Sequence, residues 1–170
     1  MLSGNEGIRA CAEYACGVEG VDPGSLERCM TFLCLIGEID RLITRHLERH
    51  GLSKTRFSTL EALVHHPDRC LTPAELADRT GITRAAMTTV LDGLEKRGLV
   101  ARERREGDRR LVHVRLTGKG AGFLEGILPD HYRGLCSIMK RLTATERETL
   151  TRLYDKIASG ARALFPEDDA

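Results

Sequence analysis

Arg84, Ala85, Thr88 and Thr89 fall on one face at helical spacing, and Asp108, Arg109 and Arg110 follow in a single polar turn. These are side chains that bind rather than react. A guanidinium such as Arg84 reaches guanine or a phosphate, and threonine contacts phosphates, base edges or thymine methyls. Ala85 is small enough to allow close approach. Arginines at a turn tip suit phosphates and a narrow, A·T-rich minor groove. Asp108 would be repelled by phosphate, so its expected role is to hold Arg109 or the backbone of the turn. From Lys96 to Arg115 there are eight Lys and Arg against three Asp and Glu, a local net of +5 in a chain of net +1. The positive charge is concentrated where a nucleic acid would be met.

Other chemistries find less support. Catalysis by a nucleophile needs a base and an orienting group beside it. No sequence cluster brings these together, and no enzyme, catalytic residue or cofactor is expected. The cysteines (Cys11, Cys16, Cys29, Cys34, Cys70, Cys136) contain no C-x-x-C pair, which argues against a disulfide framework or a zinc knuckle. His46 and His50 are four apart, and His65-His66 close a helix. Histidines near helix C-termini are favoured by the dipole alone, and no metal site is expected. There is no apolar run of membrane-spanning length and no signal-peptide pattern. The reading is a cytoplasmic protein with no membrane partner.

The elements that must position the reading face are legible. Thr72-Pro73-Ala74-Glu75 is a helix start with a cap, a proline at the first helical position and a capping-box glutamate. That helix is short and ends at Thr80-Gly81. Thr83 caps the next, in which Met87, Val90, Leu91 and Leu94 form the core face and leave the reading residues outside. After Gly98 come two β-like runs, Leu99–Arg104 and Leu111–Leu116, joined by the Arg-rich turn. The pattern is a winged helix-turn-helix. A winged-helix protein-interaction module with no DNA target is the reading from another class.

Around this core the chain reads as helix. Residues 1–24 form an extension with a short helix at Asn5–Cys16, expected to be partly mobile or docked on a partner subunit. Leu26–His50 is a long helix with Ser25 as its expected cap and an unusually broad apolar face through Met30, Phe32, Leu33, Leu35, Ile36, Ile39, Ile43 and Leu47. Lys54–His66 follows. Beyond Thr117 a helix runs towards Leu142, with a break expected near Leu128 because Pro129 cannot sit inside it. Thr143-Ala144-Thr145-Glu146 opens a last helix.

The segments Leu71–Ala77, Leu91–Val100, Asp108-Arg109-Arg110 and Leu116–Gly120 together resemble the signature of the MarR family of bacterial transcriptional regulators, over roughly residues 26–165. The fold so implied is mostly α with a small antiparallel β wing. It is a winged helix-turn-helix region (53–117) flanked by a dimerisation helix (25–52) and C-terminal dimerisation helices (118–170). The resemblance implies a homodimer bound to a double-stranded, pseudo-palindromic DNA operator. It also implies a repressor released by a small organic effector, with Asp108 and Arg109 shaping and delivering the wing contact. The effector pocket would border Gly37, Asp40, Phe57 and Glu61. Some members of the family instead sense peroxide through a cysteine placed about where Cys29 lies. The supporting tyrosines of those sensors are here Leu33 and Ile43. Thiol-based redox sensing is therefore the alternative trigger.

Overall fold

The computed structural model describes residues 5–104 and 112–165. In chain order these form α1 (Asn5–Ala15), α2 (Pro23–Glu48), α3 (Lys54–Val64), β1 (Cys70–Leu71), α4 (Pro73–Thr80), α5 (Arg84–Lys96), β2 (Val100–Arg104), β3 (Val112–Leu116), α6 (Gly118–Glu125), α7 (Leu128–Met139) and α8 (Ala144–Leu164). The fold is mostly α with a small antiparallel sheet, as the sequence implied. The chain divides into two compact units, residues 1–121 and 122–170.

The first unit carries the winged helix-turn-helix. Its core is built from Leu60 and Leu63 of α3, Leu76 of α4, Met87, Leu91 and Leu94 of α5 and Val114 of β3, all 0% exposed. Leu99, Val100 and Leu116 extend that core to the base of the wing. The sheet order is β1-β3-β2. Val100 pairs with Leu116, Arg102 with Val114 and Arg104 with Val112. β1 escapes a periodicity reading because two residues have no period. It exists because β3 offers a free edge, on which Cys70 pairs with Arg115 and Leu71 with Val114.

Caps set most helix boundaries. Asp22, not Ser25, caps α2: its carboxylate accepts from the Ser25 N–H at 2.9 Å, and Pro23 then occupies the first turn. The helix therefore begins earlier than expected, because Asp-Pro is a better start than Ser followed by a bulky residue. The break expected at Pro129 is present: α6 ends at Glu125 and α7 begins at Leu128 with the proline in its first turn. The N-terminal helix lies against α2, with Ile8, Ala12 and Ala15 buried.

α4 and α8 both start with complete capping boxes. The Thr72 N–H donates to Glu75 Oε2 at 2.7 Å, the Thr72 hydroxyl donates to the same oxygen at 2.8 Å, and the Glu75 N–H donates to Thr72 Oγ1 at 3.2 Å. The Thr72 backbone and hydroxyl hold the Glu75 carboxyl below its ordinary value, and Thr143 does the same to Glu146. Stability from these ionisations is complete above the unfolded value of about 4.3. It is lost as pH falls through the lower folded values. Glu75→Gln mimics the protonated acid, so its melting temperature should lie below wild type at neutral pH and converge with it in strong acid. A difference that persists in acid would show that the charge is not what the cap uses.

In the second unit α8 runs for 21 residues with none buried, and Leu150, Leu153, Tyr154 and Ile157 are all exposed. On α2 in the first unit Leu33, Leu35, Ile39 and Leu42 are exposed as well, between 44% and 55%.

Candidate nucleic-acid interface

The site is built on α4, its turn and α5. Gly81 ends α4 in the left-handed region (φ 66°), with its N–H bonded to Ala77 O. A side chain there would strain the backbone. Two residues on, Thr83 accepts from the Ala86 N–H at 3.2 Å and starts α5. Met87, Leu91 and Leu94 then turn one face of α5 into the core. Helical geometry leaves Arg84, Ala85, Thr88, Thr89 and Asp92 on the other, and all five are exposed. The Thr88 hydroxyl donates to Arg84 O at 3.1 Å, so its methyl and oxygen are held in one orientation on the outer face.

The wing strands leave this helix pair at Gly98 and return through β3. Arg102 of β2 spans the gap to α5. Its Nη1 donates to Glu95 Oε2 at 2.8 Å and its Nη2 to Asp92 Oδ1 at 2.6 Å. The Arg102 N–H donates to Glu95 Oε1 at 3.0 Å. The Asp92 hydrogen bond and the Glu95 charge push the Arg102 guanidinium further up its already high range. Arg115 is engaged too, its Nε donating to Glu103 Oε2 at 2.8 Å and its Nη1 to Asp68 O at 3.1 Å. Arg97 donates to Gly51 O at 2.8 Å, and its own carbonyl accepts from Lys119 Nζ at 2.7 Å.

These bonds correct the simple charge count. Arg102 is paired with Asp92 and Glu95 and Arg115 with Glu103 at the protein surface, and Arg97 ties α5 to the turn after α2. The surface charge for a phosphate backbone rests on fewer residues than the sequence suggested. Asp108, Arg109 and Arg110 lie outside the described residues. The basic stretch by itself gives Arg102 no role, because charge alone does not distinguish an arginine that faces solvent from one that faces a carboxylate. Its signal was the carboxylate pair Asp92 and Glu95, one helical turn apart on α5.

The remaining candidates lie on α2, on α3 and in the turn between them. Gly37 is exposed on α2, Phe57 is a core residue at 2% exposure, and Glu61 is half-buried on α3. Asp40 of α2 is joined to Lys54 at the start of α3 by a salt bridge. Cys29 is an exposed free thiol on α2. The His46 and His50 rings meet edge to face, 5.3 Å between centroids. Among the described residues, no group of three or more His, Cys, Asp or Glu is arranged to hold a metal, and no helix is long and apolar enough to cross a membrane.

Comparison with known proteins gives this geometry its context. The model of the MarR family matches residues 50–111, which span the helix-turn-helix and the start of the wing. The chain is 30% identical over 141 residues to the transcriptional repressor YetL of Bacillus subtilis, covering 83% of this chain and 84% of the relative. It is 33% identical over 135 residues to the transcriptional repressor MprA of Escherichia coli, covering 78% of this chain and 77% of that one. Among solved structures it resembles Sco3205, a MarR family transcriptional regulator from Streptomyces coelicolor crystallised in complex with DNA. The TM-score is 0.68 at 28% identity, with 85% of this chain and 92% of that chain covered. The exposed α5 face, the wing strands behind it and these relatives agree, and the chain belongs to the MarR family of transcriptional regulators.

Proposed function

We propose that this protein is a cytoplasmic, homodimeric repressor that binds a pseudo-palindromic duplex operator, with α5 in the major groove and the wing in the flanking minor groove. The observation that carries the reading is the exposed face of Arg84, Ala85, Thr88 and Thr89 on a helix anchored on its opposite side by the buried Met87, Leu91 and Leu94, with Val90 half-buried beside them. A helix so anchored presents base-reading side chains on a backbone that is already ordered. The DNA-bound relative Sco3205 shares the fold. In this reading residues 53–117 are the DNA-binding region, residues 25–52 and 118–170 dimerise, and Asp108, Arg109 and Arg110 form the wing tip. Dimerisation is supported by the exposed apolar residues of α2 and by α8, which has no buried residue in the single chain. A helix of that length needs a surface to cover its apolar side. Release is assigned to a small organic effector near Gly37, Asp40, Phe57 and Glu61, where α2 meets α3.

The test is a gel shift with the DNA upstream of the protein's own gene, titrated with salt. Wild type should bind at nanomolar concentration, as a dimer on half-sites about one helical turn apart, with affinity falling steeply as salt rises. Arg84→Ala should weaken operator binding about tenfold, the scale of one lost base contact, with the melting temperature unchanged. Loss of no affinity on Arg84→Ala and Arg109→Ala together would remove the proposed interface. Aromatic ligands and peroxide are the two release arms. Release by peroxide that is reversed by reductant and absent in Cys29→Ser would replace the effector with a thiol switch.

A further inference from the structure

We propose that Arg102 is a positioning residue that fixes the angle between the wing and the recognition helix, and so contributes sequence specificity without touching DNA. The inference rests on the DNA-binding reading above. Its basis is the geometry of one side chain. From β2, Arg102 reaches Thr88 O at 3.5 Å, Asp92 Oδ1 at 2.6 Å and Glu95 Oε2 at 2.8 Å. Residues 88, 92 and 95 fall at the i, i+4, i+7 spacing of a single helix stripe, so the guanidinium lies along α5 across two turns. Its backbone N–H bonds Glu95 Oε1 as well, at 3.0 Å. Three of these contacts use the planar fork of the guanidinium, which an ammonium cannot reproduce. The side chain is 29% exposed, and two carboxylates compensate its charge.

Both reading elements therefore share one rigid joint. The stripe that Arg102 holds includes Thr88, which also belongs to the reading face. With the joint intact, α5 and the wing meet their grooves in one fixed relative orientation. With it broken, each still meets phosphates, but base edges and groove width are read out of register. Arg102 should then act on the difference between operator and random DNA, whereas a phosphate-binding arginine acts on both alike.

The experiment compares wild type, Arg102→Gln, Arg102→Lys and Asp92→Asn as full-length dimers. The probes are the duplex that wild type selects from a randomised library and a scrambled duplex of the same length and composition. Each is titrated by fluorescence anisotropy over a range of salt. Arg102→Gln should lose about tenfold in affinity for the selected duplex, keep its affinity for the scrambled one, and keep the wild-type salt slope. Arg102→Lys should behave like Gln, because the fork and not the charge is used. Asp92→Asn should lower the same ratio, and combining it with Arg102→Gln should cost no more than either alone. The proposal is overturned if Arg102→Gln weakens both duplexes equally with the salt slope reduced by about one, or if Lys restores wild-type binding. It is also overturned, even if the Arg102 variants do not fold, by Asp92→Asn leaving the ratio unchanged. If wild type selects no duplex, the DNA-binding reading itself fails, a result separate from all of these.

Discussion

Gly120→Ala is expected to destabilise the first unit by about 3 kcal/mol, the upper part of the range for forced overpacking. A Cβ at this position would lie 2.1 Å from Leu99 O and 2.8 Å from Leu116 Cδ1. The nearer atom is backbone just before β2, and it cannot rotate away. It is also held from several sides. The Thr117 hydroxyl faces Gly98 O at 2.8 Å and Leu99 O at 3.1 Å, the Thr117 N–H donates to Leu99 O at 3.1 Å, and the Gly120 N–H donates to Thr117 Oγ1 at 2.9 Å. Relieving the clash means pulling α6 off the base of the wing. Thermal unfolding should show a melting temperature lower by about 10 °C for a chain of this size. Gly118→Ala is the control: in the same helix its Cβ would meet nothing within 4 Å, and the change should stay within about 0.5 kcal/mol. Equal melting temperatures for the two variants would mean that α6 does not pack on the wing base as described.

Leu91→Ala should cost about 3 kcal/mol, within the range for a buried leucine truncated in a core that relaxes only in part. Leu91 is 0% exposed at the middle of α5, with Met87 and Leu94 equally buried on either side. Its removal opens a void under the helix that carries the reading face. The expected signature is a lower midpoint in urea with an unchanged slope, and operator affinity that drops further as temperature approaches the new midpoint. Arg84→Ala should do the reverse, with affinity lost and the midpoint kept. Two residues of one helix, seven apart, would thus separate folding from recognition. A midpoint unchanged by Leu91→Ala would show that α5 is not anchored through this face.

Much of this organisation was legible in the residues alone. Spacing set the two faces of α5, because a helix presents every third or fourth residue to the same side and the apolar ones must be buried. Thr72-Pro73-Ala74-Glu75 and Thr143-Ala144-Thr145-Glu146 determined two helix starts locally, through hydrogen bonds that close within four residues. Pro129 determined the break before α7 for an equally local reason, the N–H that it lacks. Local chemistry of this kind needs no knowledge of the rest of the chain.

Tertiary structure decided what depended on partners distant in sequence. β1 is a strand only because β3 presents an edge to it, and Arg69, at φ 49°, bends the chain into place before it. Gly120 is indispensable because the Leu99 carbonyl arrives there from 21 positions away. The eight basic residues from Lys96 to Arg115 looked equivalent as charges. Only the fold showed that Arg102 and Arg115 are paired with carboxylates, and that Arg97 is tied to a carbonyl of the α2–α3 turn. Net charge is a sum over residue types and is fixed by sequence. The field outside the protein depends on which charges lie next to which, and that is set by packing.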